Sequence, residues 1–265
     1  ISGAIGAGAG KFIEKAWDSG EKWISSYFKD HRAVAREKAE ENTISYLSKL
    51  GKRIDKLEKM SLISEAGLTE ILQHPDFSVI LQNAILSASL TESNEKHNLL
   101  ARLVEERLKV SQESLVAMVS KLACESISYM NHNHLMILGL VANILYITPE
   151  AELKSSAIIP WLESQYNQFE NVKINGIDIA HLDGLSCLRQ ESLIERDIEN
   201  IFTQKLGENF RCGEFFETEL GGNLKSLWQE RMLKNCKLTS LGQLIGVMVS
   251  DEINGKMTNF SGWEN

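Results

Sequence analysis

The feature that most constrains the fold is residues 74–146, where several apolar helical patterns follow one another with short polar breaks between them. The first opens at Pro75 and Asp76. Proline fits a first helical turn because its missing N–H would be unpaired there, and a carboxylate suits the positive end of the helix dipole. Apolar residues then recur at helical spacing and predict one wide apolar face. They are Phe77, Ile80, Leu81, Ala84, Ile85 and Ala88.

Three further segments continue this pattern. A leucine-rich stripe follows residues 91–94, and its charged neighbours, such as Arg102 and Glu105, are expected on the opposite, solvent-facing side. A third stripe is expected to pack in the core, with Leu115, Met118, Val119, Leu122 and Ser126 as its members. Asn133 is a suitable N-cap for the fourth segment, residues 135–146. Short polar connections between helices of this length predict antiparallel neighbours in a bundle.

Composition sets the outer bounds. Hydrophobic residues make up 43% of the 265 residues, and the three prolines favour helices. The net charge of −8 argues against a nucleic-acid partner, which needs a basic surface. Residues 1–60 hold 12 Lys/Arg and 9 Asp/Glu, a balance of +3, whereas the remainder has 16 − 27 = −11. The N-terminal part is therefore the candidate for contact with an anionic surface.

Metal and membrane signatures are weak. The four cysteines are far apart and lack CxxC spacing, so we interpret them as reduced thiols of a cytoplasmic protein and expect no metal and no cofactor. The longest apolar run, residues 135–147, is interrupted by Asn143 and is too short to span a bilayer as a helix.

The N-terminal segment carries the candidate interaction site. Residues 1–10 are almost all small, with Ser2, Gly6 and Gly10 spaced four apart, which suits either close helix packing or a loosely ordered tail. An aromatic-rich helical stripe follows it. Its candidate interaction residues are Phe12, Trp17, Trp23, Tyr27 and Phe28. Such a stripe is expected to fold back on its own bundle, to contact a protein partner or a second copy, or to lie at a membrane surface through residues 1–28, the inner membrane in a bacterium.

The rest of the chain completes a mainly α fold class, in which a helical bundle precedes a winged-helix-like α+β module with a small β-hairpin. Residues 44–57 form a short heptad seam that predicts a helix hairpin or a brief coiled coil. A short strand and turn are expected at residues 172–176 and a helix at 177–188. A strand leading into a helix is expected at 236–243, where Ser240 and Gln243 stand at capping-box spacing. Residues 254–265 are expected to be a loose tail, with local docking of Phe260 and Trp263 as the alternative. The predicted domains are residues 1–60, the helical core 61–132 and the winged-helix-like module 133–265 with a helical insert.

Candidate catalytic residues are few. His97 lies near Glu92 and Glu95 at a helix start, where carboxylates are favoured without any catalysis. His181 lies near Asp183 and has the right residue type for acid–base work. The two histidines His132 and His134 are interpreted as capping or surface residues rather than metal ligands.

Several stretches resemble the abortive-infection alpha domain proteins of bacteria. They are ISGAIGAGAGKFIEKAW, HPDFSVILQNAILSASLTESNEKHNLLARLVEERL, YMNHNHLMILGL and KLTSLGQLIGVMV. The resemblance implies a bacterial cytoplasmic protein associated with phage defence, with no catalytic residues to carry over. Our first hypothesis is a non-enzymatic helical component of such a system. The alternatives are a homo-oligomeric scaffold and an enzyme that uses His97 or His181.

Overall fold

The structure, a computed structural model, describes residues 6–149, 152–191, 193–207, 210–230, 233–260 and 263. The described chain is mainly helical, as the sequence predicts, and contains one small antiparallel sheet. The helices are α1 (Ala7–Tyr27), α2 (Ala33–Lys59), α3 (Glu65–Ile71), α4 (Pro75–Ser89), α5 (Asn94–Lys109), α6 (Leu115–Ser126), α7 (His132–Tyr146), α8 (Ser155–Tyr166), α9 (Gly176–Gly184), α10 (Ile198–Leu206), α11 (Cys212–Phe216), α12 (Glu219–Gln229) and α13 (Ser240–Asn254). The strands are β1 (Leu188–Gln190) and β2 (Cys236–Leu238).

The chain divides into two units. The first comprises residues 1–129 together with 259–265, and the second comprises residues 130–258. In the first unit α1 and α2 form a helix hairpin, and both helices also pack against α4. The segments 1–60 and 61–132, which the sequence analysis separates, thus contribute to a single core.

Helix α5 lies at the centre of the first unit and is buried on nearly every side. Arg102, Glu105, Glu106 and Arg107, which we expected on a solvent-facing side, are all buried. That expectation was wrong because a helix surrounded by α2, α4 and α6 has no solvent face left over much of its length.

Ion pairs satisfy the buried charges of Arg107 and Glu105. Arg107 donates to Asp76 at 2.8 Å, and Arg53 donates to Glu105 at 2.8 Å. Burial by itself raises the pKa of Asp76, but hydrogen bonds from Lys121 and Arg107 outweigh it, so the pKa of this carboxyl lies below its usual value. A buried carboxylate that is held by two cations is stable only while both partners remain.

Helix α1 begins at Ala7, inside the segment of small residues 1–10. The backbone N–H of Gly6 donates to Asp55 at 2.9 Å and that of Ala9 donates to Glu58 at 2.6 Å. These carboxylates, both from α2, replace a side-chain N-cap and favour the positive end of the helix dipole. The loosely ordered tail is therefore wrong for residues 7–10, and residues 1–5, including Ser2, lie outside the described part of the chain.

The second unit is built around the pair α7 and α13, which approach closely at two glycines. A Cβ atom on Gly139 would meet Val249 Cγ1 at 2.8 Å, and one on Gly246 would meet the backbone oxygen of Leu138 and, at 2.8 Å, the Cβ of Ala142. Gly246 thus faces the backbone of α7, where no side chain fits, and Gly139 makes room for the side chain of Val249.

The small sheet pairs β1 with β2, with Leu188 opposite Leu238. Residues 172–176, expected to be a strand and turn, form no strand because Asn175 is the N-cap of α9 and its side chain accepts from the backbone of Asp178. The helix expected over 177–188 ends at Gly184, and Ser186 takes a positive φ of 57° before β1 starts.

Two helix caps and the C-terminal tail differ from expectation. Asn131, not Asn133, caps α7, and Thr239, not Ser240, caps α13. Phe260 is buried in the first unit, so the tail is not loose at this residue. No helix in the described ranges is both long and apolar enough to cross a bilayer.

Candidate functional site

The aromatic stripe of α1 divides into buried and accessible residues. Phe12 and Phe28 are buried, and Phe12 packs edge-on against Phe77 with ring centroids 6.0 Å apart. Trp17 and Trp23 are half-buried, while Tyr27 is 51% exposed. The burial of Phe12 and Phe28 agrees with the alternative in which the stripe folds back on its own bundle, and these two residues offer little surface to a partner.

The other three α1 aromatics keep accessible area. Trp23 and Tyr27 are four residues apart on α1, which places them on one face of the helix. Contact of Trp17, Trp23 and Tyr27 with a partner stays a prediction.

A second accessible surface lies on α6 and was missed from the sequence. Leu115, Met118 and Leu122 are 42%, 51% and 55% exposed, although we expected them in the core. Their spacing of three and four residues makes them one continuous stripe, which we call the α6 face. Large apolar side chains that share an exposed face are typical of interaction sites.

The periodicity of α6 could not distinguish its two sides. Val116, Val119 and Ala123 form the buried side, so the helix is apolar nearly all round. The two sides of α6 do differ in the size of their apolar side chains. The smaller ones pack against α4 and α5, and the larger ones face outward.

His97, a candidate catalytic residue, is enclosed in the first unit. Its Nε2 lies 2.9 Å from the carbonyl oxygen of Thr91 and 3.2 Å from that of Ala88, and its Nδ1 lies 3.2 Å from Ser45 Oγ. Two carbonyls can only accept, so Nε2 carries the proton and Nδ1 accepts from the serine hydroxyl. Burial lowers the pKa of His97, with an opposing contribution from the two carbonyls. This arrangement joins α5 to the end of α4 and leaves no ring nitrogen for a substrate.

His181 lies beside His134 in the second unit, with ring centroids 4.7 Å apart and the rings stacked. His134 Nδ1 accepts from the backbone N–H of Asn131, which leaves the proton on Nε2, 3.3 Å from Asp178 Oδ1. The group ties the start of α7 to the start of α9. Asn133, which we had assigned as a cap, instead donates to the backbone oxygen of Lys173 at 2.6 Å.

The cysteines are free thiols. Burial raises the pKa of Cys124 to about 12 and that of Cys187 to about 12, so both are neutral and unreactive as nucleophiles at neutral pH. Within the described ranges, no group of three or more His, Cys, Asp or Glu residues is arranged to hold a metal ion.

Lys205, near the end of α10, is the titratable group with the most altered environment beside a cavity. Its Nζ donates to the backbone oxygens of Asn143 and Ile147, both at 2.7 Å. The cavity beside it has a volume of about 280 Å³ and includes Glu152 in its wall. No motif in the sequence points to this residue, because its partners are backbone atoms distant in the chain.

A protein-family model matches residues 10–225, more than half of the chain. The chain belongs to this family. The function of the family is unclear, so membership adds no activity to the geometry. No curated protein and no solved structure matches the chain.

Proposed function

We propose that this chain is a non-enzymatic helical component of a bacterial phage-defence system of the abortive-infection type, and that it acts through contact with a protein partner. The resemblance of the four stretches named above motivates the biological setting. The α6 face is the observation that carries the contact function, because a helix that was expected to be buried presents three large apolar residues to solvent.

The energetic argument for the α6 face is simple. Leu115, Met118 and Leu122 are each about half exposed, so covering them removes apolar area from water and contributes roughly 1 kcal/mol for each side chain. A partner that covers all three gains enough to define where it binds, while polar contacts at the rim set its orientation.

Trp23 and Tyr27 form a second candidate contact surface, which we call the α1 face. Trp23 and Tyr27 each combine a large apolar ring with a polar tip, a property that suits a protein interface or a membrane surface. In this proposal the protein is cytoplasmic, and residues 1–28, which include the α1 face, make peripheral contact with the inner membrane.

We further propose that the second unit is winged-helix-like and recognises protein rather than DNA. The order of α7, α9, β1, β2 and α13, with α8 between the first two helices and α10 to α12 inserted between the strands, supports this assignment, as does the antiparallel pairing of the strands. The balance of −11 outside residues 1–60 opposes binding to nucleic acid.

The alternatives predict different behaviour. A homo-oligomeric scaffold uses the same faces to bind further copies, and its assembly state depends on them. An enzyme using His97 or His181 requires a free ring nitrogen, and in His97 both nitrogens are engaged with Ser45, Ala88 and Thr91.

The α6 face is tested by changing Met118 and Leu122 together to serine in cells that express the chain and are challenged with phage. We expect protection to be lost and the melting temperature of the purified protein to stay close to that of the wild type, because both side chains are about half exposed. Trp23→Ser with Tyr27→Ser tests the α1 face by the same assay, with recovery on vesicles as the readout for a membrane surface.

Ile177→Ser is the matched control, since this residue is an apolar side chain that is 81% exposed in the second unit. Its replacement is expected to leave protection intact. Full protection by the α6 variant, together with loss of protection in a correctly folded His181→Gln variant, would contradict the contact function and favour the enzyme alternative.

A further inference from the structure

The end of the α1–α2 hairpin carries the positive charge of the N-terminal part of the chain. Residues 22–38, which we call the hairpin tip, hold five Lys/Arg against Asp30 and Glu37, a balance of +3 in a chain whose net charge is −8. The rest of residues 1–60 holds 7 Lys/Arg and 7 Asp/Glu, so the whole positive balance of this part lies in the hairpin tip. Positive charge that is concentrated at one end of a helix pair indicates a site for an anionic partner.

The hairpin tip is not covered by the core of the first unit. Phe28 and Ala39 are buried, and all ten residues between them are exposed. These ten include the first six residues of α2, a length of about 9 Å at 1.5 Å per residue. Amphipathic helices at a membrane surface enter the boundary between headgroups and acyl chains by roughly 5–10 Å, so the hairpin tip is long enough to reach it.

Three cations of the hairpin tip are available to an external anion. Arg36 and Lys38 each form an ion pair within the first unit. Lys22, Lys29 and Arg32 are exposed, and the described part of the chain offers none of them an ion pair. Each Lys or Arg that comes close to an anionic bilayer strengthens binding to it, and the attraction falls off within a Debye length.

The same tip presents apolar groups beside these cations. Val34 is 73% exposed and Tyr27 is 51% exposed. The ring of Tyr27 packs edge-on against the buried Phe28, with ring centroids 5.1 Å apart, which holds it at the surface of the first unit. A ring with a polar hydroxyl suits the boundary between headgroups and acyl chains. Stable peripheral binding needs two signals, and the hairpin tip combines basic charge with insertable apolar side chains.

We propose that the hairpin tip binds the anionic surface of a phospholipid bilayer. Lys22, Lys29 and Arg32 contact the phosphate and carboxylate groups of the lipids, and Tyr27 and Val34 enter the headgroup boundary. This inference rests on the peripheral membrane contact proposed above and specifies it in two respects. The contact extends beyond residue 28 into the first turns of α2, and it requires anionic lipid.

The test measures binding of the full chain to two kinds of vesicle by sedimentation. One kind consists of phosphatidylcholine, and in the other kind part of this lipid is replaced by phosphatidylserine. We expect affinity for the anionic vesicles to be at least about tenfold higher, because only these attract the cations of the hairpin tip. The difference is expected to shrink as salt is raised from about 0.1 M to about 0.5 M, since screening shortens the range of the attraction.

The variant that carries Lys29→Glu and Arg32→Glu locates the site. It is expected to lose at least about tenfold in affinity for the anionic vesicles and to keep the wild-type melting temperature, because both side chains are exposed. Lys52→Glu with Lys173→Glu is the matched control. It makes the same change of four charge units at two exposed lysines outside residues 1–38, and it is expected to bind like the wild type.

The remaining outcomes contradict the proposal in different ways. Equal binding of the wild type to both kinds of vesicle leaves the contact of residues 1–28 in place and overturns the role of the hairpin tip. Equal loss in the tip variant and in its control shows that net charge, and not this site, governs binding. Absence of binding to either vesicle overturns the membrane contact itself, and loss of phage protection in the tip variant would then assign the hairpin tip to an acidic protein. The α6 face is measured by protection alone, so its expectation does not depend on the vesicle result.

Discussion

At the scale of single residues, His97 links burial to pH dependence. The folded chain holds it as a neutral imidazole, hydrogen-bonded to Thr91 and Ala88, and burial lowers its pKa below the ordinary 6.5. The unfolded chain binds a proton below about pH 6.5, but the folded chain does so only at lower pH. Unfolding therefore takes up a proton in this window, and stability falls as the pH is lowered through it.

Replacing His97 with glutamine tests this linkage. Wild-type stability is expected to decrease between about pH 6.5 and the lower folded-state pKa by at most about 1.4 kcal/mol per pH unit, and His97→Gln is expected to reduce that dependence. Urea unfolding at about pH 7.5 and pH 5.5 measures it. Ser45→Ala removes the partner of Nδ1 but keeps the titrating ring, so it should lower stability at both pH values and retain the pH dependence. If the free energy of unfolding of His97→Gln keeps the wild-type pH dependence, a group other than His97 causes that dependence.

Some residues could be predicted from the sequence and others could not, for physical reasons. Pro75 marks the start of α4 because its effect is local and independent of the rest of the fold. The predicted cap of α7, Asn133, lies two residues after the observed cap, Asn131, because the two side chains are chemically equivalent as caps. In the structure the side chain of Asn133 donates to the backbone of Lys173, which is 40 residues away in the chain, and Asn131 is the cap.

At the scale of elements, the sequence predicted helices more reliably than the faces they bury. The charged residues of α5 were assigned to solvent, yet ion pairs such as the one between Arg107 and Asp76 allow them to be buried. The α6 face was assigned to the core for the opposite reason, since apolar residues cover both sides of that helix. Hydrophobic periodicity reports a preference for burial, while the number of neighbouring helices decides how many sides are covered.

Helices α7 and α13 approach each other closely, and a substitution at Gly246 tests this contact. Gly246→Ala places a methyl group against the backbone of Leu138 and the side chain of Ala142. We expect a loss of roughly 2 kcal/mol in the free energy of unfolding, because overpacking forces the two helices apart. Chemical denaturation, followed by circular dichroism, measures the change.

Gly10→Ala in α1 is the matched control for the change in helix propensity. A Cβ atom at Gly10 would meet no other atom within 4 Å, so this variant is expected to be stabilised by up to about 1 kcal/mol. Equal stability of the two variants would show that α7 and α13 accommodate the methyl group by moving, and that the close approach is not a constraint.

At the scale of the whole molecule, the first unit is discontinuous in sequence. Residues 259–265 belong to it, although residues 130–258 of the second unit intervene. Phe260 is 1% exposed, its ring lies 5.9 Å from the guanidinium carbon of Arg102, and it packs edge-on against Trp263. The sequence indicated local docking of Phe260 and Trp263 as an alternative but not their partner in the first unit, because a short polar segment with isolated aromatics has no periodicity.

Phe260→Ala should therefore destabilise the first unit through its last residues. Removing a fully buried phenylalanine costs about 3 kcal/mol, and the cation–π contact with Arg102 is lost with it. Hydrogen exchange measures the effect helix by helix: amides of α4 and α5 are expected to lose protection, while those of α7 and α13 retain it. Met257→Ala, which changes a half-exposed side chain of the second unit, is expected to leave α4 and α5 protected. Wild-type protection of α5 in Phe260→Ala would mean that the six helices α1 to α6 hold the first unit together without the C-terminal segment.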